Sequence, residues 1–293
     1  GCDPKSDTTS LLFGGKACPT ILETSTNKKL AGEEVTIGDV CFKRNGVFAM
    51  ELGGPEVGRG CGGRGIIHGF ELLEKLGFHD WDFDKTDSVI NSFAKYSSVP
   101  VVNMETIEHP CQELANILTL QEHYGDLQGK DYLLTWTYHP KPLNTAVANS
   151  SLLIASKFGM NVKLLCPSDD YHLDDRYLKA AEKNCESEGA SFDVSYDIDS
   201  AYSNVDIVYA KSWGCLSHYG KVDDQIAIND QYKHFIVDES KMDLTNNAVF
   251  SHCLPLRRNV KATDGVMDSD YCIAVKEATN RKHVQKSMLS KIL

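Results

Sequence analysis

Four short stretches of this chain hold residue types able to do chemistry. The first is Met104-Glu105-Thr106-Ile107-Glu108-His109-Pro110-Cys111-Gln112, which leads into an apolar-periodic helix. A helix start offers unpaired N–H groups and the positive end of its dipole, which suit an anion or a developing oxyanion. His109 and Gln112 stand three apart on one side of that turn, able to polarise a carbonyl oxygen or, equally, to cap the helix. The second is Tyr138-His139-Pro140-Lys141-Pro142-Leu143-Asn144. Its two prolines stiffen a loop and Pro142 can seed a helix. Asn144 then sits near a helix start, fit for a substrate carboxylate or amide, or for an ordinary surface turn.

In the third, Lys211-Ser212-Trp213-Gly214 follows an apolar run. A buried ammonium needs a partner, so Lys211 either binds a carboxylate or snorkels to water. The fourth runs from Ser251 through His252, Cys253, Leu254 and Arg257 to Lys261. Arg257 is a planar donor fork for carboxylate or phosphate. Cys253 beside a histidine invites a thiol-protease reading, but neither G-x-S-x-G nor C-G-S-C-W accompanies it. Gly58 to Gly63 satisfies G-x-G-x-x-G, yet residues 51–55 make a poor preceding strand, and a glycine-dense tract matches that spacing by chance.

These residues need elements to hold them. Apolar periodicity and stop signals predict helices over 66–76, 88–96, 113–124, 143–158, 174–188 and 278–292. Strands are expected over 99–103, 131–137, 161–166, 192–196, 205–210 and 248–251. Strands alternating with helices imply βαβ units. The fold class is therefore α/β, with mostly parallel sheets and helices on both faces. In such sheets ligands collect at the carboxyl ends of strands, which is where the candidate stretches fall. Residues 1–85 differ: they hold 15 of the 22 glycines, show little periodicity and leave the start of the N-terminal domain weakly specified.

The 293 residues suit about two domains, and 42% hydrophobic content is ample for a core. A net charge of −11 argues against nucleic acid or an anionic membrane as partner, while leaving room for a local basic pocket around a small anion. The chain lacks an apolar run long enough to span a bilayer, and its first residues do not resemble a signal peptide. Ten scattered cysteines without C-x-x-C or zinc spacing point to reduced thiols, a cytoplasmic location and no metal.

The motifs from Asn103 to Gln112, Trp136 to Asn144, Tyr209 to Gly214 and His252 to Lys261, taken in order, closely resemble the carbamoyltransferases. Within them they look like the N-acetylornithine form. The resemblance covers about residues 78–293. It implies two α/β domains: 1–125 binding carbamoyl phosphate and 126–275 binding the amino-acid substrate, with 276–293 as a closing helix. It implies a homotrimer without cofactor, transferring a carbamoyl group from carbamoyl phosphate to the δ-amine of N-acetylornithine in arginine biosynthesis. By motif match, His109, Pro110, Cys111, Gln112, Cys253, Leu254 and Arg281 would hold carbamoyl phosphate, with His109, Gln112 and Cys253 nearest the chemistry. Glu105, Asn144, Lys211 and Arg257 would hold acetylornithine. Lys261 matches a lysine that the family carries carboxylated.

One departure stands out. The family's Ser-x-Arg-Thr-Arg phosphate motif is not found; the nearest slot, residues 41–53, lacks both arginines, and Trp81 belongs to a later segment than the family's tryptophan. Residues 1–77 therefore read as out of frame, mis-spliced or otherwise altered. The alternative readings are an impaired homologue that binds acetylornithine or only assembles, and an ornithine or N-succinylornithine enzyme.

Overall fold

The computed structural model describes residues 8–11, 13–44, 47–51, 72, 88–98, 100–218 and 221–292. The glycine pattern at 58–63, the helix expected over 66–76 and Trp81 lie outside them. The chain divides into two compact units, Gly1–Phe83 and Asp84–Leu293. The expected break after residue 125 thus falls earlier, and the helix that begins beside His109 belongs to the second unit.

In the first unit α1 (Ile21–Ala31) is capped by the Thr20 hydroxyl, which accepts from the Glu23 N–H, and it ends at Gly32 with φ 71°. The short α2 (Ile37–Val40) is held by Asp39, whose carboxylate accepts from both the backbone N–H and the hydroxyl of Thr36. Strands β1 (Phe42–Arg44) and β2 (Val47–Ala49) pair antiparallel. Ile21 and Val40 form a small core.

The second unit opens with α3 (Ser88–Tyr96) and α4 (Pro110–Tyr124). Next come β3 (Asp131–Trp136), α5 (Ala146–Lys157), β4 (Asn161–Leu165), α6 (Asp175–Glu188) and β5 (Phe192–Ser195). The chain continues through α7 (Ile198–Tyr202), β6 (Ile207–Lys211), α8 (Val222–Asn229), α9 (Glu239–Met242) and β7 (Val249–Ser251). The last elements are α10 (Asp264–Met267) and α11 (Ala274–Ile292). All five strands from β3 to β7 are parallel, in the order β5-β4-β3-β6-β7. Strands β3 and β6 are buried almost throughout, as expected of strands covered on both faces.

The order has a physical consequence. The chain starts at β3, winds outward to β5, then returns to the other side of β3 to lay down β6 and β7. The crossovers therefore diverge between β3 and β6, and a crevice opens at their carboxyl ends.

Three local expectations need correction. Residues 100–103 are irregular rather than strand. They precede Pro110 and the cap residue His109, and among the described residues their backbone finds no ladder partner. Helix α5 begins at Ala146, not at 143, because the Pro142 loop is held by the Gly214 N–H, which donates to the Leu143 carbonyl. Helix α11 begins at Ala274, one turn before the expected 278, bringing Glu277 inside it. Among the described residues no helix is long and apolar enough to cross a membrane.

Candidate functional site

The site is assembled around the start of α4. His109 occupies the N-cap position, but its side chain makes no cap hydrogen bond, and neither does that of Gln112. The capping reading therefore fails for the side chains; the backbone carbonyl of His109 accepts the Gln112 and Glu113 N–H groups instead. Helix α5 secures this entry: Ser150 Oγ accepts the His109 N–H at 2.7 Å, and Asn149 Nδ2 donates to the Ile107 carbonyl at 2.8 Å. The His109 ring is buried, with Nδ1 unpartnered and Nε2 3.9 Å from the Glu105 carboxylate. Burial holds its pKa below the usual histidine value; Glu105 opposes this, while the charges of Arg281 and Lys211 reinforce it. His109 is thus a neutral donor, with two cations facing the first turn of α4.

The other predicted groups arrive from the strand ends. Lys211, the last residue of β6, is only 8% exposed, and its Nζ donates to Cys253 Sγ at 3.5 Å. Burial pushes the Cys253 thiol up, against the pull of Lys211. Cys253 is accordingly a neutral thiol, not a nucleophilic thiolate. Leu254 follows in the left-handed region at φ 39°, a strained conformation for a branched side chain. Asn144 Nδ2 donates to Glu105 Oε1 at 3.1 Å, joining the 138–144 loop to the segment before α4. Pro110 is the first residue of α4; Cys111 behind it is fully buried, its thiol raised by burial and lowered by Arg281. Arg257 is exposed, and its charge is felt by His139 and Lys261.

Lys261 is 3% exposed, and burial lowers its pKa to about 8. Its Nζ lies 3.2 Å from Nε2 of the buried His252. His252 Nδ1 accepts the Leu254 N–H, so the ring proton sits on Nε2 and points at a lysine nitrogen that accepts only when uncharged. Desolvation, then the cations Lys261 and Lys211, keep His252 itself neutral.

A buried polar layer lies behind these groups. Glu277 of α11 accepts from Gln112 Nε2 and from Ser251 Oγ in two short hydrogen bonds, from Asn116 Nδ2 at 3.1 Å and from the Tyr209 hydroxyl at 3.3 Å. The Tyr209 hydroxyl also donates to Glu113 Oε1 at 2.9 Å. Since Nε2 of Gln112 is committed inward, its unpartnered atom is the acceptor Oε1. This amends the expectation that Gln112 polarises a carbonyl oxygen: the free atom suits an N–H2 group. Sequence reasoning missed Glu113, Tyr209, Ser251, His252 and Glu277. Both glutamates sit in first helical turns, where an acidic residue reads as an exposed partner of the helix dipole. Nothing in their spacing signals burial.

The strand-end site therefore brings the charges of Arg281 and Lys211 to bear on neutral His109 and those of Lys211 and Lys261 on neutral Cys253, with Glu105 3.9 Å from the His109 ring. It can hold an anionic ligand, offer a neutral donor to a carbonyl oxygen and accept from an amide N–H2.

Residues 142–292 match the model for the aspartate/ornithine carbamoyltransferase Asp/Orn binding domain. The chain is 65% identical over 215 residues to an N-acetylornithine carbamoyltransferase of Xylella fastidiosa, a match covering 73% of this chain and 64% of that protein. A crystal structure of acetylornithine transcarbamylase complexed with acetylcitrulline aligns at TM-score 0.71 and 64% identity, over 73% of this chain and 64% of that one. The chain thus spans less than two thirds of the length of these relatives.

The first 92 residues match a different model, the 4Fe-4S iron sulfur cluster binding proteins of the NifH/frxC family. Within them, 84 residues are 94% identical to the chlorophyllide reductase 35.5 kDa chain of Cereibacter sphaeroides, covering 29% of this chain and 25% of that protein. A shifted reading frame does not generate such a match, so the out-of-frame expectation is corrected: the glycine density is that of another family. A 4Fe–4S cluster takes four thiolates. The sequence of the first unit holds four cysteines, Cys2, Cys18, Cys41 and Cys61, of which the described Cys18 and Cys41 are free thiols. The Asp/Orn binding domain match, by contrast, takes in more than half of the residues, including the carboxyl ends of β4 to β7, and by it the chain belongs to the aspartate/ornithine carbamoyltransferase family.

Proposed function

We propose that the crevice serves carbamoyl transfer to the δ-amine of N-acetylornithine, yielding N-acetylcitrulline and phosphate in arginine biosynthesis. What supports this is that Lys211 donates to Cys253 and that its charge is felt at both Cys253 and His109. The uncharged δ-nitrogen attacks the carbamoyl carbon, the C–N bond forms, the C–O bond to phosphate breaks, and the departing phosphate takes up the proton that the nitrogen gives up. Charge grows on the carbonyl oxygen meanwhile, where the His109 N–H donates. Gln112 Oε1 accepts from the carbamoyl N–H2, and Arg281 attracts the departing phosphate. Pro110 and Cys111 shape the turn that seats this group, with the Cys253 and Leu254 backbone across from it. Lys211, Arg257, Glu105 and Asn144 orient the acetylated amino acid, whose carboxylate suits the two cations.

Lys261 fits a carboxylated side chain: its neutral Nζ adds to CO2, releases a proton and becomes a carbamate beside His252. The relatives' names favour the acetyl substrate over free or succinylated ornithine. The free cysteines among the described residues suit a reducing cytoplasm. A homotrimer is the expected assembly from the family resemblance.

A specific observation also supports a slower variant of this reading. The phosphate-binding Ser-x-Arg-Thr-Arg is missing, and the first 92 residues match another family. A phosphate dianion without its cationic cradle binds weakly, so turnover with carbamoyl phosphate is expected to be poor or absent while acetylornithine binding persists. Titrating each substrate separately by calorimetry, alongside a steady-state assay, tests both parts. Failure to bind either N-acetylornithine or N-acetylcitrulline rejects the function; ordinary turnover rejects the impairment.

A further inference from the structure

The buried carboxyl of Glu277 is fully enclosed and surrounded by donors. Its Oε1 accepts from Gln112 Nε2 and the Tyr209 hydroxyl; its Oε2 accepts from Asn116 Nδ2 and Ser251 Oγ. A carboxylate has about four lone-pair sites; Gln112, Asn116 and Ser251 fill three, and the single Tyr209 proton is shared with Glu113 Oε1. The donors come from three elements that build the crevice: α4, β6 and β7. Gln112 touches the proposed carbamoyl position, Tyr209 lies two residues before Lys211, and Ser251 lies two before Cys253.

From this we infer that Glu277 is the positioning residue of the site. It draws the N–H2 end of Gln112 inward, fixing which end of that amide faces the crevice, and it holds the ends of β6 and β7 against α4. An amide side chain is otherwise free to present either end, since its oxygen and nitrogen are nearly the same size. An acceptor that takes the N–H2 leaves the buried Oε1 without a partner of its own, as found. The inference rests on the carbamoyl reading above for what Gln112 Oε1 then binds.

N-acetylcitrulline is the probe, because it carries the carbamoyl group without phosphate; N-acetylornithine, which lacks that group, is the control ligand. In Glu277→Leu, the affinity for N-acetylcitrulline measured by calorimetry falls about tenfold, the loss of one hydrogen bond, while that for N-acetylornithine stays within about twofold. Glu277→Gln restores the discrimination: its carbonyl accepts from Gln112 and Tyr209, and its N–H2 donates to the unpartnered Asn116 Oδ1 after that amide turns over. Equal loss of both ligands, or no loss, overturns the proposal.

The side-chain amide resonance of Gln112, assigned by its absence in Gln112→Leu, gives a readout independent of ligand. It is protected from exchange in the unmodified protein and in Glu277→Gln. Free exchange in the unmodified protein overturns the inference even if Glu277→Leu does not fold. Failure of the carbamoyl reading looks different: the unmodified protein does not distinguish the two ligands, yet its Gln112 amide is still protected.

Discussion

Replacing Glu277 by glutamine flattens the pH dependence of stability. Burial raises the Glu277 carboxyl from 4.5 to about 7, against four hydrogen bonds that favour the ion. A raised carboxyl favours the neutral form in the folded state. Its stability is complete below pH 4.5, where folded and unfolded chains are both protonated. It falls as pH rises, because the unfolded chain ionises first, and the fall levels off once the folded group ionises above about 7. A shift from 4.5 to about 7 corresponds to about 3 kcal/mol in total, of which about 2.5 kcal/mol is lost between pH 5 and pH 8. Glu113, raised in the same direction by burial and by Glu277, adds to this slope. His109, His139 and His252 are all lowered and work the opposite way: their contribution is present above about pH 6.5 and lost on acidification. Comparing variant with parent cancels that part. The assay is urea unfolding from pH 5 to pH 9, followed through Trp136 and Trp213, both buried in the second unit. The parent-minus-variant stability should drift by about 2.5 kcal/mol from pH 5 to pH 8; parallel curves across that window would refute the reasoning.

Lys211→Met removes the buried cation from the crevice, and calorimetry should find N-acetylornithine affinity reduced by about 10- to 100-fold, the worth of a charge-assisted hydrogen bond. Gly214→Ala puts a Cβ 2.9 Å from Pro142 Cβ and 2.5 Å from Gln225 Oε1. The backbone here is already tied to the Leu143 carbonyl, so chemical denaturation should report a loss of about 1–3 kcal/mol. Lys261, lowered from 10.5 to about 8, is stabilising when neutral, and that contribution is lost as pH falls through about 8. Under 13C-labelled bicarbonate at pH 8.5 a carbamate carbon signal should appear and should vanish in Lys261→Arg; its persistence in the variant would assign it elsewhere.

The elements after residue 125 were legible because each is announced by a local signal. Gly125, Gly159 and Gly189 end α4, α5 and α6, and Asp174 caps the start of α6. The apolar run at 207–211 needs no partner to be recognised as a buried strand. The strand expected over 99–103 failed for the complementary reason. A β-branched, apolar composition favours a strand, but only a neighbouring ladder makes one, and residues 100–103 have none among the described residues. The order of motifs, read along the chain, already pointed to the carbamoyltransferases. The glycine-rich beginning carried an equally specific likeness to a second family, obscured because glycine erases the periodic patterns on which such reading depends.

Chain order alone dictates which side chains leave the ends of β3, β6 and β7, since a parallel sheet with helical crossovers brings all its carboxyl ends to one edge. It does not dictate which of them face each other. That Lys211 meets Cys253, that burial lowers Lys261 beside His252, and that Glu277 gathers donors beneath Gln112 follow from packing α11 against α4 and returning β6 to the inner side of β3. Desolvation is the reason these could not be foreseen: the same lysine or glutamate is a solvated surface charge or a buried, titration-shifted group according to what covers it, and the cover comes from other elements, as far as 165 positions away for Gln112 and Glu277.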